Sequence, residues 1–284
     1  MTREDVLAVV VSFNGLARTR ETVEALRPQV GAIFVVDNGS EAPSLDILAS
    51  LEEIPGVSIV RQGVNRGIGN ALNVGVARAR ERGAAWLLTM DQDSLVEPGF
   101  IRAYQEALAG GPSLVSLSPR IEGVHVTPGQ GVRVVGSAIT SGNLVKVSLF
   151  DEVGLYDEPF FIDCVDFDFC LRVRRAGHSI HRVLGAVMRH QLGERREVPG
   201  LLRRYYAEHS PLRRYYMARN FMYIAERYGL RFPLFILKLA AAHLLLLVLI
   251  GFYDPRPWGS YKASLRGLLH YCARRSGPLV EPAR

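Results

Sequence analysis

The sequence predicts an α/β protein in which a mostly parallel sheet is flanked by helices and followed by a helical C-terminal region. Two observations carry this prediction. Short apolar runs alternate with helical segments through the N-terminal third, which is typical of parallel strands joined by right-handed crossovers. Beyond about residue 195 the chain becomes basic and then strongly apolar. We therefore expect an α/β domain at 1–195 and a helical region at 196–284.

Each predicted strand in the N-terminal third is a short apolar run that ends in polar residues. The first run, from Val6 to Ser12, is rich in valine, and a turn at Asn14-Gly15 separates it from an amphipathic helix over 16–27. Ligands bind at the carboxyl edge of parallel sheets, so we expect function at these strand ends. The other predicted strands lie at 32–36, 57–60 and 85–90, and the polar residues that follow the four strands include Asn14, Asp37, Asn38, Asn65, Asp91 and Asp93.

The pattern changes after residue 113. Short β runs with Gly and Pro between 113 and 139 indicate a mixed or antiparallel edge of the sheet. The latter part of 160–175 is predicted to be helical, and 179–190 contains two short strand-like runs that Gly185 separates. Two basic-aromatic tetrads, Arg203-Arg204-Tyr205-Tyr206 and Arg213-Arg214-Tyr215-Tyr216, lie in sequence that is predicted to be helical as far as Arg227.

The C-terminal region combines an apolar segment with an excess of positive charge. Residues 232–252 are strongly apolar, but the uncharged run within them is shorter than the ~20 residues that span a bilayer. We therefore expect a buried or interfacial helix. Residues 1–171 contain 13 Lys and Arg against 22 Asp and Glu, a net −9, whereas residues 172–284 contain 21 against 6, a net +15. This asymmetry indicates an anionic partner for the C-terminal region.

The motif Asp91-Gln92-Asp93 is the strongest local signal of chemistry. Two carboxylates one residue apart at a strand end can bind a hard divalent cation and the phosphate oxygens that it bridges. The alternative is a solvated turn with a helix N-cap, because Asp93-Ser94 also precedes a predicted helix.

Two further strand ends suit a nucleotide. Asp37 and Asn38 offer a carboxylate and an amide for the edge of a pyrimidine or for ribose hydroxyls, although a glycine-containing β-turn would have the same sequence. Asn65 and Gly67 open a helix whose amides and dipole favour a diphosphate, and a tightly packed helix start is the alternative there. A dinucleotide site is not predicted, because the first strand lacks the glycine fingerprint.

Together these motifs resemble the inverting GT-A glycosyltransferases of family 2, over nearly the whole chain. The segments that carry the resemblance occur in the family's order and spacing; they are Val10-Val11-Ser12-Phe13-Asn14, Val36-Asp37-Asn38-Gly39-Ser40, Asn65-x-Gly67-x-Gly69-x-x-x-Asn73 and Asp91-Gln92-Asp93-Ser94. The last of these, with Phe160-Phe161-Ile162-Asp163-x-Val165-Asp166 and Cys170-Leu171-Arg172, is similar to the bacterial rhamnosyltransferase branch. The resemblance implies a GT-A fold, which is a Rossmann-like sheet flanked by helices, and a dTDP-L-rhamnose donor.

The resemblance also implies roles for individual residues. Asp166 is the implied catalytic base, and Asp93 and His190 are the implied ligands of Mg²⁺ or Mn²⁺. Many relatives carry Glu-Asp where this chain has Val165-Asp166, so Asp163 and Asp168 are candidates to replace the missing carboxylate. A charge cluster at a helix N-terminus is the alternative for these three acids. The implied donor-binding residues are Asn14, Asp37, Asn38, Asn65, Gly67 and Asp91, and the implied sugar and acceptor pocket comprises Ser141, Gly142, Asn143 and Asp163.

These inferences predict an inverting glycosyltransferase that transfers L-rhamnose to a saccharide acceptor linked to a polyprenyl diphosphate, in cell-envelope polysaccharide synthesis. Cysteine usage and the absence of a charged leader favour a cytoplasmic protein, and the tetrads with the apolar segment favour peripheral attachment to the inner face of the membrane. Nucleic acid is not an expected partner, because the strand-end cluster is acidic. The alternatives are a UDP-hexose or UDP-galactofuranose donor, a non-catalytic nucleotide-binding membrane scaffold and, for the C-terminal region, a core helix or a homodimer interface.

Overall fold

The computed structural model describes residues 1–15, 17–110, 114–124, 129–190, 195–198 and 204–280. It divides the chain into two compact units. The first comprises Met1–Glu158 and Asp166–Gln191, and the second comprises Pro159–Val165 and Leu192–Arg284. The functional assignment of 1–195 and 196–284 as separate domains stays a prediction.

The first unit contains a large mixed sheet. In the described part of the chain, nine strands belong to it: β1 Val6–Ser12, β2 Ala32–Asp37, β3 Val57–Arg61, β4 Trp86–Asp91, β5 Ser94–Val96, β6 Ser116–Ile121, β7 Val132–Val135, β8 Asn143–Lys146 and β9 Ile180–His190. Their order is β3-β2-β1-β4-β8-β6-β9-β5, and β7 pairs with β9. Strands β1 to β4 pair with one another in parallel, in the order β3-β2-β1-β4, as predicted. The strands β5, β7 and β8 pair antiparallel, so the predicted mixed character is also confirmed.

Helices cover the sheet and bury its central strands. The helices of this unit are α1 Ala17–Leu26, α2 Ser44–Glu52, α3 Ile68–Glu81, α4 Phe100–Ala109, α5 Leu149–Val153 and α6 Val165–Arg175, of which α6 has its first residue, Val165, in the second unit. Strand β1 is buried along nearly its whole length, which explains why it reads as a continuous apolar run. Helix α3 approaches it closely at Gly75, where a Cβ atom would lie 2.7 Å from the side chain of Val9.

Strand β9 differs from the sequence prediction. The segment 179–190 forms one strand from Ile180 to His190, not two short ones. Its pairing with β6 is interrupted, because Pro119 faces Val183 whereas Arg120 faces Val187. The unpaired residues of this bulge include Gly185, and the glycine therefore marks an irregularity within a strand and not a break between two strands.

The second unit contains a hairpin and three helices among its described residues. Strands β10 Arg195–Val198 and β11 Arg204–Ala207 pair antiparallel, and the helices are α7 Pro211–Tyr228, α8 Pro233–Tyr253 and α9 Pro257–Cys272. The prediction of a continuous helix through the first tetrad is wrong, because its residues from Arg204 to Tyr206 belong to β11. Helix α7 begins at Pro211, whose missing N–H is tolerated only in the first turn, and the Ser210 hydroxyl caps it by accepting from the Arg213 amide.

Three of the four side chains of the second tetrad are packed inside the unit, whereas that of Arg213 is 44% exposed. Arg214, Tyr215 and Tyr216 are each at most 2% exposed, and Arg213 is paired with Asp163. The prediction that this tetrad faces lipid headgroups is therefore wrong, and the buried arrangement has a physical reason: Arg214 donates to the Tyr206 hydroxyl at 2.8 Å and lies against its ring. The side chains of Arg203, Arg204 and Tyr205 in the first tetrad lie outside the described residues.

Helix α8 is long and apolar, and little of it is covered by the rest of the unit. It has 21 residues, and an 18-residue window within it has a mean hydropathy of 2.5. Only 6% of that window is buried. By length and composition it could cross a membrane. Ile250 is its buried residue, whereas Leu234, Leu244 and Phe252 are between 65% and 79% exposed. This exposure argues against the alternative of a core helix.

Candidate functional site

The ends of β1 and β2 meet as the parallel register requires. Ser12 faces Asp37 in the register, and Asp37 is 2% exposed with one carboxylate oxygen accepting from the Ser40 amide at 3.0 Å. Asn14, with a positive φ of 51°, accepts from the Glu41 amide through its side-chain oxygen at 2.9 Å. The predicted donor residues Asn14 and Asp37 therefore lie on neighbouring strand ends, each held by hydrogen bonds to the loop after β2.

Asn38 and Asn65 bond to each other and shape the loop before α3. The Asn38 amide donates to the Asn65 side-chain oxygen at 3.0 Å, and its oxygen accepts from the Arg66 amide at 2.9 Å. Asn65 also accepts from the Gly67 amide at 2.9 Å. Gly67 has a φ of 87°, a conformation that favours glycine. Asn38 is 4% exposed, so its side chain acts in this structure through the loop that it holds.

Gln92 was not singled out by the sequence, yet it joins β1 to the acidic motif. Its side-chain oxygen accepts from the Ser12 hydroxyl at 3.0 Å and from the Phe13 amide at 2.9 Å, and its amide donates to the Phe13 carbonyl at 3.1 Å. Its own carbonyl accepts from the Thr22 hydroxyl at 2.9 Å. The sequence shows only that an amide side chain lies between two carboxylates. The hydrogen-bond partners of the Gln92 side chain, Ser12 and Phe13, lie about 80 residues earlier in the chain, so a local pattern does not reveal its role.

Asp91, Asp93 and His190 form an acidic group with an imidazole at its side. One ligand atom from each of the three lies within 4.8 Å of the others. The His190 Nε2 atom lies 3.9 Å from the Asp91 carboxylate, and Nδ1 lies 3.5 Å from that of Asp93. The pairing of β5 with β9, which places Ser94 opposite His190, brings the histidine to the motif.

A chain of hydroxyl groups supports this histidine. The Asp91 amide donates to the Ser141 hydroxyl at 3.0 Å, and that hydroxyl donates to Ser94 at 2.7 Å. The Ser94 oxygen lies 2.6 Å from His190 Nδ1. Ser94 was also missed by the sequence analysis, since its role depends on a contact with a residue 96 positions later.

The segment after β7 packs beneath the acidic motif. Gly142 has a φ of 76°, its amide donates to the Thr89 carbonyl at 2.7 Å and its carbonyl accepts from the Tyr104 hydroxyl at 2.7 Å. Asn143 is 2% exposed and accepts from the Ser116 hydroxyl at 3.3 Å. The structure thus brings Ser141 close to Asp91 through a direct bond, whereas Gly142 and Asn143 are bonded within the sheet.

The donor set of the acidic group fits a divalent cation. Two carboxylates and an imidazole nitrogen are ligands that Mn²⁺ accepts, and Mg²⁺ accepts the two carboxylates. The carboxylates are about one-third exposed, which leaves room for water or phosphate ligands, and the imidazole is 9% exposed. A second hydrogen bond on a ligating histidine, such as that between Nδ1 and Ser94, is usual at metal sites because it orients the ring. A divalent-metal site is therefore indicated here.

A cavity of about 470 Å³ lies beside the acidic group, and Asp93 and His190 are among its lining residues. Arg18, Glu122 and Arg189 also line it. Its volume falls in the usual range of small-molecule sites, ~300–1,000 Å³. The cavity thus provides space for a polar ligand next to the carboxylates.

Asp166 and Asp168 both lie in the first turn of α6 but have different environments. Asp168 is 1% exposed and its carboxylate accepts from Arg172 Nε at 2.8 Å, one helical turn later. The hypothesis that Asp168 replaces the missing catalytic carboxylate is therefore not supported, because it is a buried structural partner. Asp166 is partly exposed and one of its oxygens accepts from the Phe167 amide at 2.8 Å.

Asp163 belongs to the second unit and pairs with Arg213. Both oxygens accept from Arg213 Nε at 3.2 Å, and one accepts from its Nη2 at 3.1 Å. Burial raises the pKa of the Asp163 carboxyl, and the Arg213 guanidinium opposes that rise. Its predicted place in an acceptor pocket stays a prediction.

The chain is similar to known glycosyltransferases in sequence. The family model described as glycosyl transferase family 2 matches residues 7–150. The chain is 31% identical over 237 residues to the dTDP-rhamnosyl transferase RfbF of Shigella flexneri, an alignment that covers 76% of this chain and 78% of that protein. It is 31% identical over 101 residues to the succinoglycan biosynthesis protein ExoO of Rhizobium meliloti, which covers 34% and 28% of the two chains.

Solved structures show the same fold at low sequence identity. GalNAc-T7, crystallised with UDP, GalNAc and Mn²⁺, superposes with a TM-score of 0.55 and 16% identity over 65% of this chain and 43% of its own. TarS 1–349 of S. aureus, crystallised with UDP-GlcNAc, gives a TM-score of 0.55 and 15% identity over 79% and 67%. Both are GT-A transferases, so the predicted fold class is confirmed.

Proposed function

Because the chain belongs to glycosyl transferase family 2, we propose that it is an inverting transferase that moves L-rhamnose from dTDP-L-rhamnose to a saccharide acceptor. The observation that carries the choice of sugar is the 31% identity, over 76% of the chain, to a protein named dTDP-rhamnosyl transferase. The arrangement of polar residues at the carboxyl edge of the sheet supports a nucleotide-sugar donor. The acceptor in this proposal is a saccharide on a polyprenyl diphosphate, used in cell-envelope polysaccharide synthesis.

The donor-binding role follows from the strand ends. Asp37 offers a buried carboxylate beside β1, which suits the N–H edge of thymine. Asn38 and Asn65 act through the loop that they hold, whose backbone amides at Gly67 lie at the start of α3, where an anion is favoured. In this proposal Asn14 and Asp91 complete the contacts to the nucleotide and sugar, and Ser141, Gly142, Asn143 and Asp163 belong to the sugar and acceptor pocket.

The metal-binding role is assigned to Asp93 and His190, with Asp91 beside them. Mg²⁺ or Mn²⁺ at this position would neutralise the charge that develops on the departing diphosphate. The support is the close approach of three ligand atoms within 4.8 Å and the hydrogen bond that Ser94 makes to the imidazole. The protein's own contribution is to hold the two carboxylates through Gln92 and the imidazole through Ser94.

The chemical step that we propose is a single displacement with Asp166 as the general base. Its carboxylate takes the proton of the acceptor hydroxyl, whose oxygen forms a bond to the anomeric carbon while the bond from that carbon to the diphosphate oxygen breaks. The products are the rhamnosylated acceptor with inverted configuration and dTDP. The partial exposure of Asp166 at the start of α6 is compatible with such a role.

A donor screen with an Asp166→Asn variant tests this function. With Mn²⁺ present, the wild-type chain is expected to release dTDP from dTDP-L-rhamnose faster than UDP from UDP-hexose or UDP-galactofuranose. General-base catalysis contributes ~10²–10⁴-fold, so D166N should lose at least a hundredfold in kcat while its affinity for dTDP stays within twofold. The exposed Asp46→Asn variant, which removes a carboxylate from α2, is the matched control.

The outcomes of this screen separate the alternatives. Preference for a UDP-sugar would refute the proposed donor and leave the transferase assignment intact. Binding of dTDP without release of product from any donor would favour the non-catalytic scaffold. Wild-type activity in D166N would refute Asp166 as the base.

Peripheral attachment to the inner face of the cytoplasmic membrane is the second part of the proposal, and α8 is the segment that carries it. Six of its large apolar side chains are at least 39% exposed: Leu234, Leu237, Leu244, Leu247, Val248 and Phe252. Burying one such side chain is worth ~2 kcal/mol, so insertion of this face into lipid is strongly favourable. The basic C-terminal region adds attraction to anionic headgroups.

Sedimentation with liposomes tests this attachment. We expect the chain to pellet with anionic vesicles, less so at high salt, and the double variant Leu244→Glu, Val248→Glu to lose the apolar part of the binding. Val134→Glu, an exposed apolar position in β7, is the control for an added charge. Vesicle binding that ignores both salt and lipid charge would refute the electrostatic contribution, and an L244E/V248E-sensitive dimer without vesicle binding would show that α8 is a homodimer interface.

A further inference from the structure

The backbone just before α6 is unusual. Phe161, Asp163 and Cys164 have φ angles of 65°, 61° and 65°, in the left-handed region that residues other than glycine rarely adopt. A segment with three such residues keeps its shape only when surrounding contacts impose it. The next residues in the chain are Val165 and Asp166, so the path of this segment determines where α6 begins.

Asn220 of α7 contacts the carbonyl groups of this segment. Its side-chain amide lies 2.8 Å from the Phe160 carbonyl, 2.7 Å from that of Ile162 and 3.0 Å from that of Asp163. Asn220 is 0% exposed. The two hydrogens of this amide are therefore shared among three carbonyls of the segment, of which that of Phe160 also accepts from the Ile162 amide at 2.8 Å.

Arg219 extends the same contact. Its Nη2 donates to the Pro159 carbonyl at 3.1 Å and to that of Phe160 at 3.3 Å, its Nη1 donates to the Gly277 carbonyl at 2.7 Å, and its Nε donates to the Asn220 side-chain oxygen at 2.9 Å. Gly277 also donates its amide to the Pro159 carbonyl at 2.7 Å. The guanidinium thus fixes both the segment and the orientation of the neighbouring asparagine.

Arg219 is held rigidly. It is 1% exposed, and its guanidinium lies 5.4 Å from the ring centroid of Tyr215 and 4.9 Å from that of Tyr216. The Tyr216 ring in turn stacks on Phe161 at 5.1 Å. Burial of a charged group is costly unless its donors are used, and here each of its three nitrogens donates to oxygen.

We propose that Arg219 and Asn220 are positioning residues for the transfer reaction: they hold segment 159–164 in the strained path that sets the start of α6 and therefore the place of Asp166. This inference rests on the proposed role of Asp166 as the base. Neither side chain touches a reacting atom in this account. Their effect is on the rate of the chemical step and not on the binding of the nucleotide.

Hydrogen exchange and kinetics on the full chain test the proposal together. The variants are Asn220→Ala, Asn220→Ser as a milder change that keeps a short donor, and Tyr223→Phe as the control. Tyr223 lies on the same helix and donates to the Arg275 carbonyl at 3.1 Å, outside the segment. The measurements are amide exchange in peptides covering 160–168, kcat and KM for release of dTDP from dTDP-L-rhamnose with Mn²⁺, and the Kd of dTDP.

The expected result is a selective loss. In N220A, and to a smaller extent in N220S, exchange in 160–168 should rise at least tenfold and kcat should fall at least tenfold, while KM for the donor and Kd for dTDP stay within twofold. Y223F should show neither change. The proposal would be overturned if N220A left exchange in 160–168 unchanged, or if it raised exchange there but kept the same kcat as Y223F. A parallel loss of kcat and dTDP affinity in N220A would also overturn it.

Two further outcomes are decided by the same set of experiments. If N220A does not fold, N220S supplies the comparison with Y223F. If the wild-type chain does not turn over dTDP-L-rhamnose, the proposed donor fails, and the exchange comparison alone then supports or overturns the role of Asn220 in holding the segment.

Discussion

Gln92 should contribute measurably to the stability of the first unit, although it carries no charge and lies between two charged residues. Its side chain makes three hydrogen bonds to the end of β1. A hydrogen bond contributes about 0.5–1.5 kcal/mol net, so the loss of three bonds in Gln92→Ala costs roughly 1.5–4.5 kcal/mol. Phe13 is 43% exposed, so its freed backbone groups regain water, and we expect a loss of ~2 kcal/mol.

The chain offers a direct assay for this loss. It contains two tryptophans, of which Trp86 lies in β4 of the first unit and Trp258 in α9 of the second. In a Trp258→Phe background, urea unfolding followed by Trp86 fluorescence reports the first unit. In thermal unfolding followed by the same fluorescence, a loss of ~2 kcal/mol corresponds to a fall in Tm of about 4–8 °C. The Mn²⁺ affinity should fall roughly tenfold, because Asp93 lies beyond the end of β4 and the backbone that carries it loses its side-chain anchor to the end of β1.

Gln62→Ala is the matched control for Gln92→Ala. Gln62 lies just after β3 and makes one side-chain hydrogen bond, to Asn70 at 2.6 Å. Its removal should cost about 1 kcal/mol and leave Mn²⁺ affinity unchanged. If Q92A is no less stable than Q62A, and binds Mn²⁺ like the wild type, the inference that Gln92 holds the acidic motif is wrong.

Three other perturbations probe separate parts of the structure. Ser94→Ala removes the 2.6 Å contact to His190 Nδ1 and should weaken Mn²⁺ binding about tenfold, as measured by calorimetry. Ser118→Ala, which loses a 3.5 Å contact to the His181 carbonyl, is the control and should leave the Mn²⁺ affinity unchanged. Equal Mn²⁺ affinities in the two variants would contradict the role of Ser94. Asp168→Ala leaves the largely buried Arg172, whose side chain is 13% exposed, without its carboxylate. It should lower the free energy of unfolding by about 3–5 kcal/mol, against less than about 1 kcal/mol for Arg102→Ala in an exposed pair; similar losses would refute the difference. Burial, with Arg213 and Arg214 nearby, lowers the pKa of His209 to about 4. Because the unfolded chain then binds the proton more tightly, the second unit should lose stability as the pH falls from about 6.5 to 4, and His209→Gln should flatten that dependence in Trp258 fluorescence; an unchanged slope would show that His209 is not responsible.

The parallel half of the sheet could be predicted because its strands β1, β2 and β4 are buried along nearly their whole length. Strands β1 and β2 therefore appear as uninterrupted apolar runs. The residues that end them are polar because they lie at the carboxyl edge of the sheet, where ligands bind in such folds. The spacing of Asp91 and Asp93 at a strand end indicates a cation site but leaves a solvated turn open, and the choice of Asp93 as a metal ligand comes from the family resemblance. His190 was predicted only from the family resemblance, since nothing local distinguishes it from other strand residues.

The second unit was predicted less well because arginine there behaves against expectation. Long charged side chains are usually exposed, so the tetrads suggested a surface for phosphate. In the structure, Arg214 and Arg219 are each 1% exposed and use their donors on a tyrosine hydroxyl, on backbone carbonyls and on a neighbouring amide. Such burial depends on partners up to 60 residues away, which a local pattern does not contain.

The pairing of β5 with β9 also bears on the order in which the chain acquires its parts during synthesis. Asp91 and Asp93 leave the ribosome early, together with the strands that bind them, but His190 ends the last strand of the sheet. Contacts that close over about a hundred residues form late in folding. A nascent chain that ends near residue 150 therefore has the two carboxylates without the imidazole, and the group of three ligand atoms is complete only once β9 has been synthesised.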